Sequence, residues 1–255
     1  MASENPIGSL FTTIENKIAT ITFGHPASNS FPRELLDRLT TEFNNLSINP
    51  IVSVIVVQSE GSGAFCAGAS FDELLAVSNE SEGNDFFSGF AHLINAMRSC
   101  SKLIIGRNHG KAVGGGVGIA CACDYTLATK NAAIKLSELA IGIGPFVIEP
   151  AVSRKIGKTA MSEMTLAAQE WKSADWAFAK GLYANTFDSI EALDVAIADF
   201  SEKLSSYNPE ALLEMKKVLW EGTQHWDTLL LQRAAISGKL VLSNFTKKAL
   251  LQFKK

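Results

Sequence analysis

Four glycines within five positions are the residues of this chain whose type and spacing most suggest a chemical role. They lie in the stretch HGKAVGGGVGIACACDY, which runs from His109 to Tyr125, and they are Gly114, Gly115, Gly116 and Gly118. A glycine inside a regular element costs about 0.5–1 kcal/mol relative to alanine, so such a cluster indicates either an unusual backbone conformation or a ligand that lies against the main chain.

A second glycine-rich stretch, GSGAFCAGASFDELL (61–75), has the same chemical character. Each stretch follows a strand-like segment and opens a helix, where free backbone N–H groups and the helix dipole favour an anion. Together the two turns would form an oxyanion hole, a pair of N–H groups that holds a developing negative charge. The alternative is that the glycines only permit tight turns and close helix packing.

The sequence lacks the familiar cofactor and metal motifs. The segment GKT at 157–159 lacks the glycine that a phosphate-binding loop needs five positions before Gly157, because Val152 stands there. No glycine completes the dinucleotide pattern after Gly116, no serine lies in a G-x-S-x-G turn, and the four histidines are isolated. Cys121 and Cys123 lie in an apolar run that is typical of buried small residues. We therefore expect no metal ion and no nicotinamide or flavin cofactor.

Alternating strand-like and helix-like patterns must position the two glycine-rich stretches. The strands are predicted at 17–23, 51–59, 102–108 and 125–136, and the helices at 32–45, at 86–97 and from near Pro145. This alternation predicts an α/β core that is wound in successive turns.

From Lys158 onward the pattern is almost wholly helical. The helices of this part are predicted at 189–207, 208–220, 227–242 and 245–255. The segment 169–187 between the two patterns is not of low complexity, so we do not separate independent folding units there. Apolar residues in the last helices indicate that these helices cap the core or mediate assembly. They are Leu229, Leu230, Leu231 and Ala234.

The composition excludes several classes of partner. The chain has 255 residues, of which 47% are hydrophobic and 19% charged, and its net charge is −3. This acidic balance argues against nucleic acid, and no apolar run is long enough to span a membrane. The start, MASENPIGSL, lacks the pattern of a leader, and the four cysteines lack disulfide-rich spacing, so we expect a reduced, cytoplasmic protein.

Several short motifs, in order along the chain, resemble those of the enoyl-CoA hydratase/isomerase family, also called crotonases. Residues 64–69 (AFCAGA) are similar to the family's F-x-A-G-A-D loop, and residues 108–116 (NHGKAVGGG) are similar to its N-G-x-x-x-G-G-G segment. Further matches are CDY at 123–125, LSE at 136–138 with Gly142 four residues on, and ALLEMKK at 211–217. The resemblance extends over roughly residues 11–220 without large gaps.

The resemblance implies a fold, an assembly and a substrate. Residues 1–187 would form a spiral of β-β-α turns, and residues 188–255 a helical part that caps the core or mediates oligomerisation. Such proteins are homotrimers that often pair into hexamers. Their substrate is an acyl-CoA thioester, as in fatty acid metabolism, so coenzyme A is part of the substrate and no separate cofactor is implied.

The resemblance also implies which residues hold the substrate. The thioester oxygen would be held by the backbone N–H groups of Ala69 and Gly115, and a side chain at 114–116 would keep the thioester away from the main chain. The other implied substrate-binding residues are Ala67, Gly68, Ser70, Phe71, Asp72, Gly114 and Gly116, with Ser70, Phe71 and Asp72 beside the coenzyme A moiety.

The family's hydratases use two glutamates, and only one has a counterpart here. Glu138 occupies the second glutamate position, with Ser137 in place of the usual proline, whereas the first position is Gly118. A water molecule is normally oriented by both carboxylates, while the family's enoyl-CoA isomerases move a proton with one. The resemblance therefore implies an isomerase, or another double-bond-shifting or lyase variant, in which Glu138 is the base.

Glu149 is the candidate for a second carboxylate. It lies in the otherwise apolar run GPFVIEPAV (144–152), where a buried, unpaired carboxylate would be costly. If Glu149 reaches the pocket, the protein could be a hydratase that uses Glu138 and Glu149. The alternative is an exposed helix position near Arg154.

Two further functions stay open. The loss of a glutamate at position 118 would also suit a non-catalytic acyl-CoA-binding protein. RNA binding, known in one branch of the family, is opposed by the acidic net charge.

Overall fold

A six-stranded sheet forms the centre of the fold in the computed structural model, which describes residues 7–253. The start of the segment MASENPIGSL and the last two residues of the predicted helix 245–255 lie outside this range. The strands are β1 (Ser9–Glu15), β2 (Ile18–Gly24), β3 (Val54–Ser59), β4 (Leu103–Asn108), β5 (Ala112–Val113), β6 (Tyr125–Thr129), β7 (Ile134–Lys135) and β8 (Asn185–Phe187). The main sheet has the order β1-β2-β3-β4-β6-β8 and is parallel except for the β1–β2 pair, and β5 and β7 form a separate parallel pair.

Helices connect and cover these strands. They are α1 (Arg33–Ile48), α2 (Phe71–Ala76), α3 (Glu80–Ser99), α4 (Gly115–Ala122), a 3₁₀ helix (Glu138–Ile141), α5 (Glu149–Leu166), α6 (Ala174–Ala179), α7 (Ile190–Ser205), α8 (Pro209–Leu219), α9 (Trp226–Leu240) and α10 (Asn244–Phe253). Within residues 7–253, no helix is both long and apolar enough to cross a membrane.

The predicted α/β organisation is confirmed, with differences at single elements. The predicted strand 125–136 is two strands, β6 and β7, which belong to different sheets. Strands β1, β5 and β8 were not predicted. Strand β1 lies at the sheet edge, where its side chains are largely exposed, and β5 and β8 have only two and three residues. Helix α5 is interrupted at Gly157, whose φ of 77° lies in the region that favours glycine.

The two faces of the main sheet bury separate apolar clusters. The larger cluster joins one face to α1, α3, α4 and α5 and includes Ile21, Ile55 and Ile104. The smaller cluster lies between the opposite face and α7, and its members include Val56, Ile105 and Leu193. Helix α7 belongs to residues 188–255, so this part of the chain supplies a layer of the core in addition to a cap.

Helix α9 packs closely along α3. A Cβ atom added to Gly83 of α3 would lie 2.6 Å from the carbonyl oxygen of Gly238 of α9, so only hydrogen fits between the two backbones. Leu230 and Ala234 of α9 are fully buried within the same chain, and Leu229 packs against the core. Of the four residues that suggested assembly, only Leu231, 38% exposed, remains available for a contact with another subunit. These residues therefore mainly stabilise their own subunit.

Candidate active site

The two glycine-rich stretches lie side by side in the structure. The Val113 N–H donates to the Cys66 carbonyl oxygen at 2.9 Å, which pairs the loop after β3 with β5. Gly68 has a φ of 93°, and a Cβ added to it would lie 2.9 Å from the Val113 carbonyl oxygen and 3.6 Å from the Gly115 nitrogen. The segment Ala67–Ala69 therefore lies directly against the beginning of α4, as the oxyanion-hole prediction requires.

Ala69 and Gly115 each present a free backbone N–H group at this junction. Neither N–H has an acceptor among the hydrogen bonds of residues 7–253, although the neighbouring Ser70 and Gly114 N–H groups both have one. Gly115 is the first residue of α4, so its N–H is one of the groups that a helix cannot satisfy internally. Both residues line the same cavity.

The cavity has a volume of about 590 Å³ and a mainly apolar wall. Its aromatic residues are Phe71 of α2, Phe87 and Phe90 of α3, and Phe146, and its aliphatic residues include Leu74, Ile141, Ile143, Val147 and Ile148. The polar side chains in the lining belong to Lys135, Ser137, Glu138, Gln169 and Ser237. A cavity of this size with few polar groups suits a small molecule with an apolar chain.

Glu138 supplies the carboxylate of this cavity. It begins the 3₁₀ helix, and its Oε2 atom is buried without a hydrogen-bond partner in the described chain. Burial raises the pKa of Glu138 to about 7, although backbone hydrogen bonds from Glu138 and Ser137 act in the opposite direction. A carboxylate with such a pKa can both take up and release a proton near neutral pH.

Packing against other side chains explains why positions 114–116 are glycines. Cβ atoms added to these positions would lie 2.8 Å from Glu138 Oε1 at Gly114, 2.2 Å from Phe90 Cε1 at Gly115, and 2.7 Å from Cys66 Cβ at Gly116. Gly114 also has a φ of 52°. The explanation from the thioester alone is therefore incomplete, because the protein's own atoms already occupy the space of these side chains.

The space beside Gly118 is also filled. A Cβ at position 118 would lie 2.4 Å from Ile148 Cγ2, and Ile148 is a buried residue of the cavity wall. The side chain of Ile148 thus occupies the space that the first glutamate of the family's hydratases would need at position 118.

Glu149 does not belong to the cavity lining. Its carboxylate accepts hydrogen bonds from Ser153 and Lys158 on α5 and from Arg233 on α9. Partial burial by itself would raise the pKa of Glu149, but these bonds outweigh it and lower the pKa to about 2. The prediction that Glu149 reaches the pocket is not supported by this arrangement.

The alternative prediction, an exposed Glu149 near Arg154, also differs from the structure. The carboxylate is largely buried instead of exposed, and its cations are Lys158 and Arg233. Arg154 stacks on the ring of Trp220 instead, with its guanidinium carbon 4.0 Å from the ring centroid.

The remaining predicted site residues divide into two groups. Ala67, Gly68, Phe71 and Gly114 line the cavity together with the residues above. Ser70, Asp72 and Gly116 are not in the lining: the Ser70 hydroxyl accepts from the Glu73 N–H at the beginning of α2, and Gly116 packs on Cys66. Whether Ser70 and Asp72 border coenzyme A stays a prediction.

Sequence reasoning missed several residues of the cavity wall. Phe87 and Phe90 share one face of a predicted helix, and this spacing was the signal that could have identified them. Ile148 and Ser237 gave no such signal, because their places in the wall depend on how α5 and α9 pack.

The chain is similar to proteins of known family. The model of the family described as "Enoyl-CoA hydratase/isomerase" matches residues 13–252. The short-chain-enoyl-CoA hydratase of Clostridium acetobutylicum is 27% identical over 242 residues, which cover 94% of this chain and 92% of that protein. A peroxisomal Delta(3,5)-Delta(2,4)-dienoyl-CoA isomerase of Arabidopsis thaliana is 28% identical over 191 residues, which cover 69% of this chain and 67% of that protein.

A solved structure shows the same fold. The crystal structure of an enoyl-CoA hydratase from Bacillus halodurans superposes with a TM-score of 0.87 at 21% identity, and the match covers 95% of this chain and 99% of that one. The predicted crotonase fold is thereby confirmed.

Proposed function

The chain belongs to the enoyl-CoA hydratase/isomerase family, and from that premise we propose that it is an enoyl-CoA isomerase in which Glu138 alone transfers the proton. The substrate of the proposed reaction is a 3-enoyl-CoA thioester, and the product is the conjugated 2-enoyl-CoA. No cofactor takes part, since coenzyme A belongs to the substrate.

The free N–H groups of Ala69 and Gly115 support the first step. They would donate to the thioester oxygen and stabilise the enolate that forms when a proton leaves C2. The ionised Glu138 carboxylate takes this proton, and the electron pair of the broken C–H bond spreads over the enolate and the adjoining double bond. Glu138, now a carboxylic acid, then returns the proton to C4, which leaves the double bond between C2 and C3.

The proposal rests on two features observed together: Glu138 lines the cavity, and Ile148 fills the space beside Gly118. Among the described residues that line the cavity, Glu138 is the acidic one. Hydration needs a water molecule held against C3 while a proton is delivered to C2, and Ile148 offers that water no hydrogen bond. One carboxylate that serves both proton transfers fits the residues present.

The hydratase alternative, with Glu138 and Glu149 as the two carboxylates, has no comparable support. Glu149 lies outside the cavity lining, and its oxygen atoms are engaged by Ser153, Lys158 and Arg233. The names of the relatives include both hydratases and an isomerase, so activity must be measured on both kinds of substrate.

The predicted homotrimer or homohexamer also remains a proposal. It rests on the family resemblance, because most of the apolar residues of α9 that suggested it are buried within one chain.

The proposed reaction is tested by incubating the purified protein with a 3-enoyl-CoA and, separately, with crotonyl-CoA. We expect the 3-enoyl-CoA to be converted to the conjugated 2-enoyl-CoA without a change in mass. We expect crotonyl-CoA not to be hydrated. Rapid hydration of crotonyl-CoA with no double-bond shift would refute the isomerase. Binding of both thioesters without any turnover would instead support a non-catalytic acyl-CoA-binding protein.

A further inference from the structure

Ser237 places a buried hydroxyl group in the cavity wall. Ser237 of α9 is 1% exposed and lines the cavity, and its hydroxyl makes no hydrogen bond with any residue of the described chain. Other buried helix serines behave differently: Ser88 donates to the Asn84 carbonyl oxygen at 2.6 Å and Ser201 to that of Ile197 at 2.8 Å. The hydroxyl of Ser237 therefore remains available to whatever occupies the cavity.

The packing of α9 on α3 locates this hydroxyl along the cavity. Gly238, the neighbour of Ser237, touches Gly83 of α3, whereas Phe90 of the same helix touches Gly115 at the proposed oxyanion hole. Since α3 rises about 1.5 Å per residue, the seven residues from Gly83 to Phe90 correspond to roughly 10 Å. Ser237 thus borders the cavity about 10 Å, measured along α3, from the proposed oxyanion hole.

The charges around Ser237 limit what it can bind. Arg233, one turn earlier on α9, is already bonded to the Glu149 carboxylate and to the Phe146 carbonyl oxygen. Lys135 also lines the cavity, but its backbone carbonyl oxygen accepts from the Gly114 N–H, which places this residue at the proposed oxyanion hole. The cation nearest to Ser237 along α9, Arg233, is thus already neutralised by Glu149, so a carboxylate beside Ser237 would gain little from it, whereas an uncharged oxygen would need only the hydroxyl.

We infer that the site takes acyl chains that carry an uncharged oxygen, a keto or hydroxyl group, which hydrogen-bonds to Ser237 about 10 Å from the thioester. This inference rests on the proposed function and names its substrate class. A plain hydrocarbon chain in the same place would cover the Ser237 hydroxyl and leave it without any partner, and burying an unsatisfied polar group is costly.

The test compares the binding of saturated acyl-CoAs of equal length, one plain and the others with a keto group at successive carbons about 10 Å from the thioester. We expect the wild type to bind at least one keto compound about tenfold more tightly than the plain one by isothermal titration calorimetry. Ser237→Ala should abolish that preference and bind the plain chain at least as well. Ser88→Ala is the matched control, because Ser88 is a buried helix serine outside the cavity lining, and it should keep the preference.

The inference is overturned if the wild type shows no preference at any position of the keto group, or if Ser237→Ala keeps the preference. These saturated compounds have no double bond to move, so the binding result does not depend on isomerase turnover. A preference for the keto compound without any isomerisation of 3-enoyl-CoA would contradict only the proposed reaction. Absence of binding by every acyl-CoA would contradict both.

Discussion

The side chain of Ile148 lies against the backbone of Gly118 so closely that a Cβ at position 118 would come within 2.4 Å of Ile148 Cγ2. The two residues belong to different helical regions, α4 and the beginning of α5, and both are buried. The lack of a glutamate at 118 is thus matched by an apolar side chain that occupies the adjoining space. The cavity is built around one carboxylate.

This contact predicts that a glutamate cannot simply be restored at position 118. Gly118→Glu should lower the free energy of unfolding by about 1–3 kcal/mol, because the larger side chain overpacks the core. It should add no hydratase activity. The double variant Gly118→Glu/Ile148→Ala has room for the side chain and should hydrate crotonyl-CoA, which is measured as loss of the absorbance of the conjugated thioester. Ile148→Ala alone is the control and should not hydrate it. Hydration by Gly118→Glu alone would contradict the packing argument.

Replacement of Glu138 tests the proton-transfer step. Glu138→Gln keeps the shape of the side chain but removes its basicity, so isomerase turnover should fall at least about 10²-fold while acyl-CoA binding persists. Glu214→Gln, an exposed glutamate on α8, should leave turnover unchanged. Near-normal turnover of Glu138→Gln would exclude Glu138 as the base.

The raised pKa of Glu138 predicts a pH dependence of both activity and stability. Only the ionised carboxylate can take the first proton, so kcat/KM should rise with pH through about 7. The folded pKa lies above the ordinary value of 4.5, so the folded state holds the proton more tightly than the unfolded state. Relative to Glu138→Gln, the wild type should therefore lose stability as pH rises from about 4.5 to about 7, by about 3 kcal/mol, since one pKa unit is worth about 1.4 kcal/mol. A difference between the two proteins that is constant over this range would contradict the buried state of Glu138.

Glu149 should matter for stability and not for the reaction. Glu149→Gln weakens the bonds that join α5 to Arg233 of α9, so unfolding should become easier by about 1–2 kcal/mol while kcat changes little. Because the folded pKa of Glu149 lies below 4.5, at about 2, this stabilisation is present above about 4.5 and is lost as pH falls toward about 2. Glu163→Gln, a more exposed residue of the same helix that pairs with Lys172, is the control and should cost less. A large loss of turnover in Glu149→Gln with unchanged stability would reinstate Glu149 as a catalytic residue.

The parts of the site that sequence reasoning reached are those built by contiguous segments. The glycines at 114–116, the loop at 64–69 and Glu138 each carry a local pattern. The structure brings them together because β5 and β7, which precede the glycines and Glu138, pair with each other, and the loop at 64–69 pairs with β5. The contacts of Glu149 could not be predicted in the same way, since Arg233 lies 84 positions further along the chain. Ile148 and Ser237 likewise join the cavity through helix packing, which the hydrophobic pattern of a single segment does not encode.

The two backbone donors should both contact the bound substrate. In a structure with a bound acyl-CoA, the nitrogen atoms of Ala69 and Gly115 should both lie about 2.7–3.1 Å from the thioester oxygen. A thioester oxygen that points into solvent, or that bonds to only one of these nitrogens, would refute the proposed oxyanion hole.

A variant at Gly115 separates the two explanations for its glycine. Gly115→Ala keeps the N–H donor, but its methyl group would lie 2.2 Å from Phe90 Cε1, so α4 or the ring must shift and turnover should fall at least about tenfold. If packing against the ring is the cause, Gly115→Ala/Phe90→Ala should recover much of that loss relative to Phe90→Ala alone, because the methyl group then meets no ring. If a side chain at 115 instead blocks the thioester itself, removing the Phe90 ring should recover nothing. Measuring kcat/KM on a 3-enoyl-CoA for the wild type and these three variants decides between the two explanations, and from the 2.2 Å contact we expect the recovery.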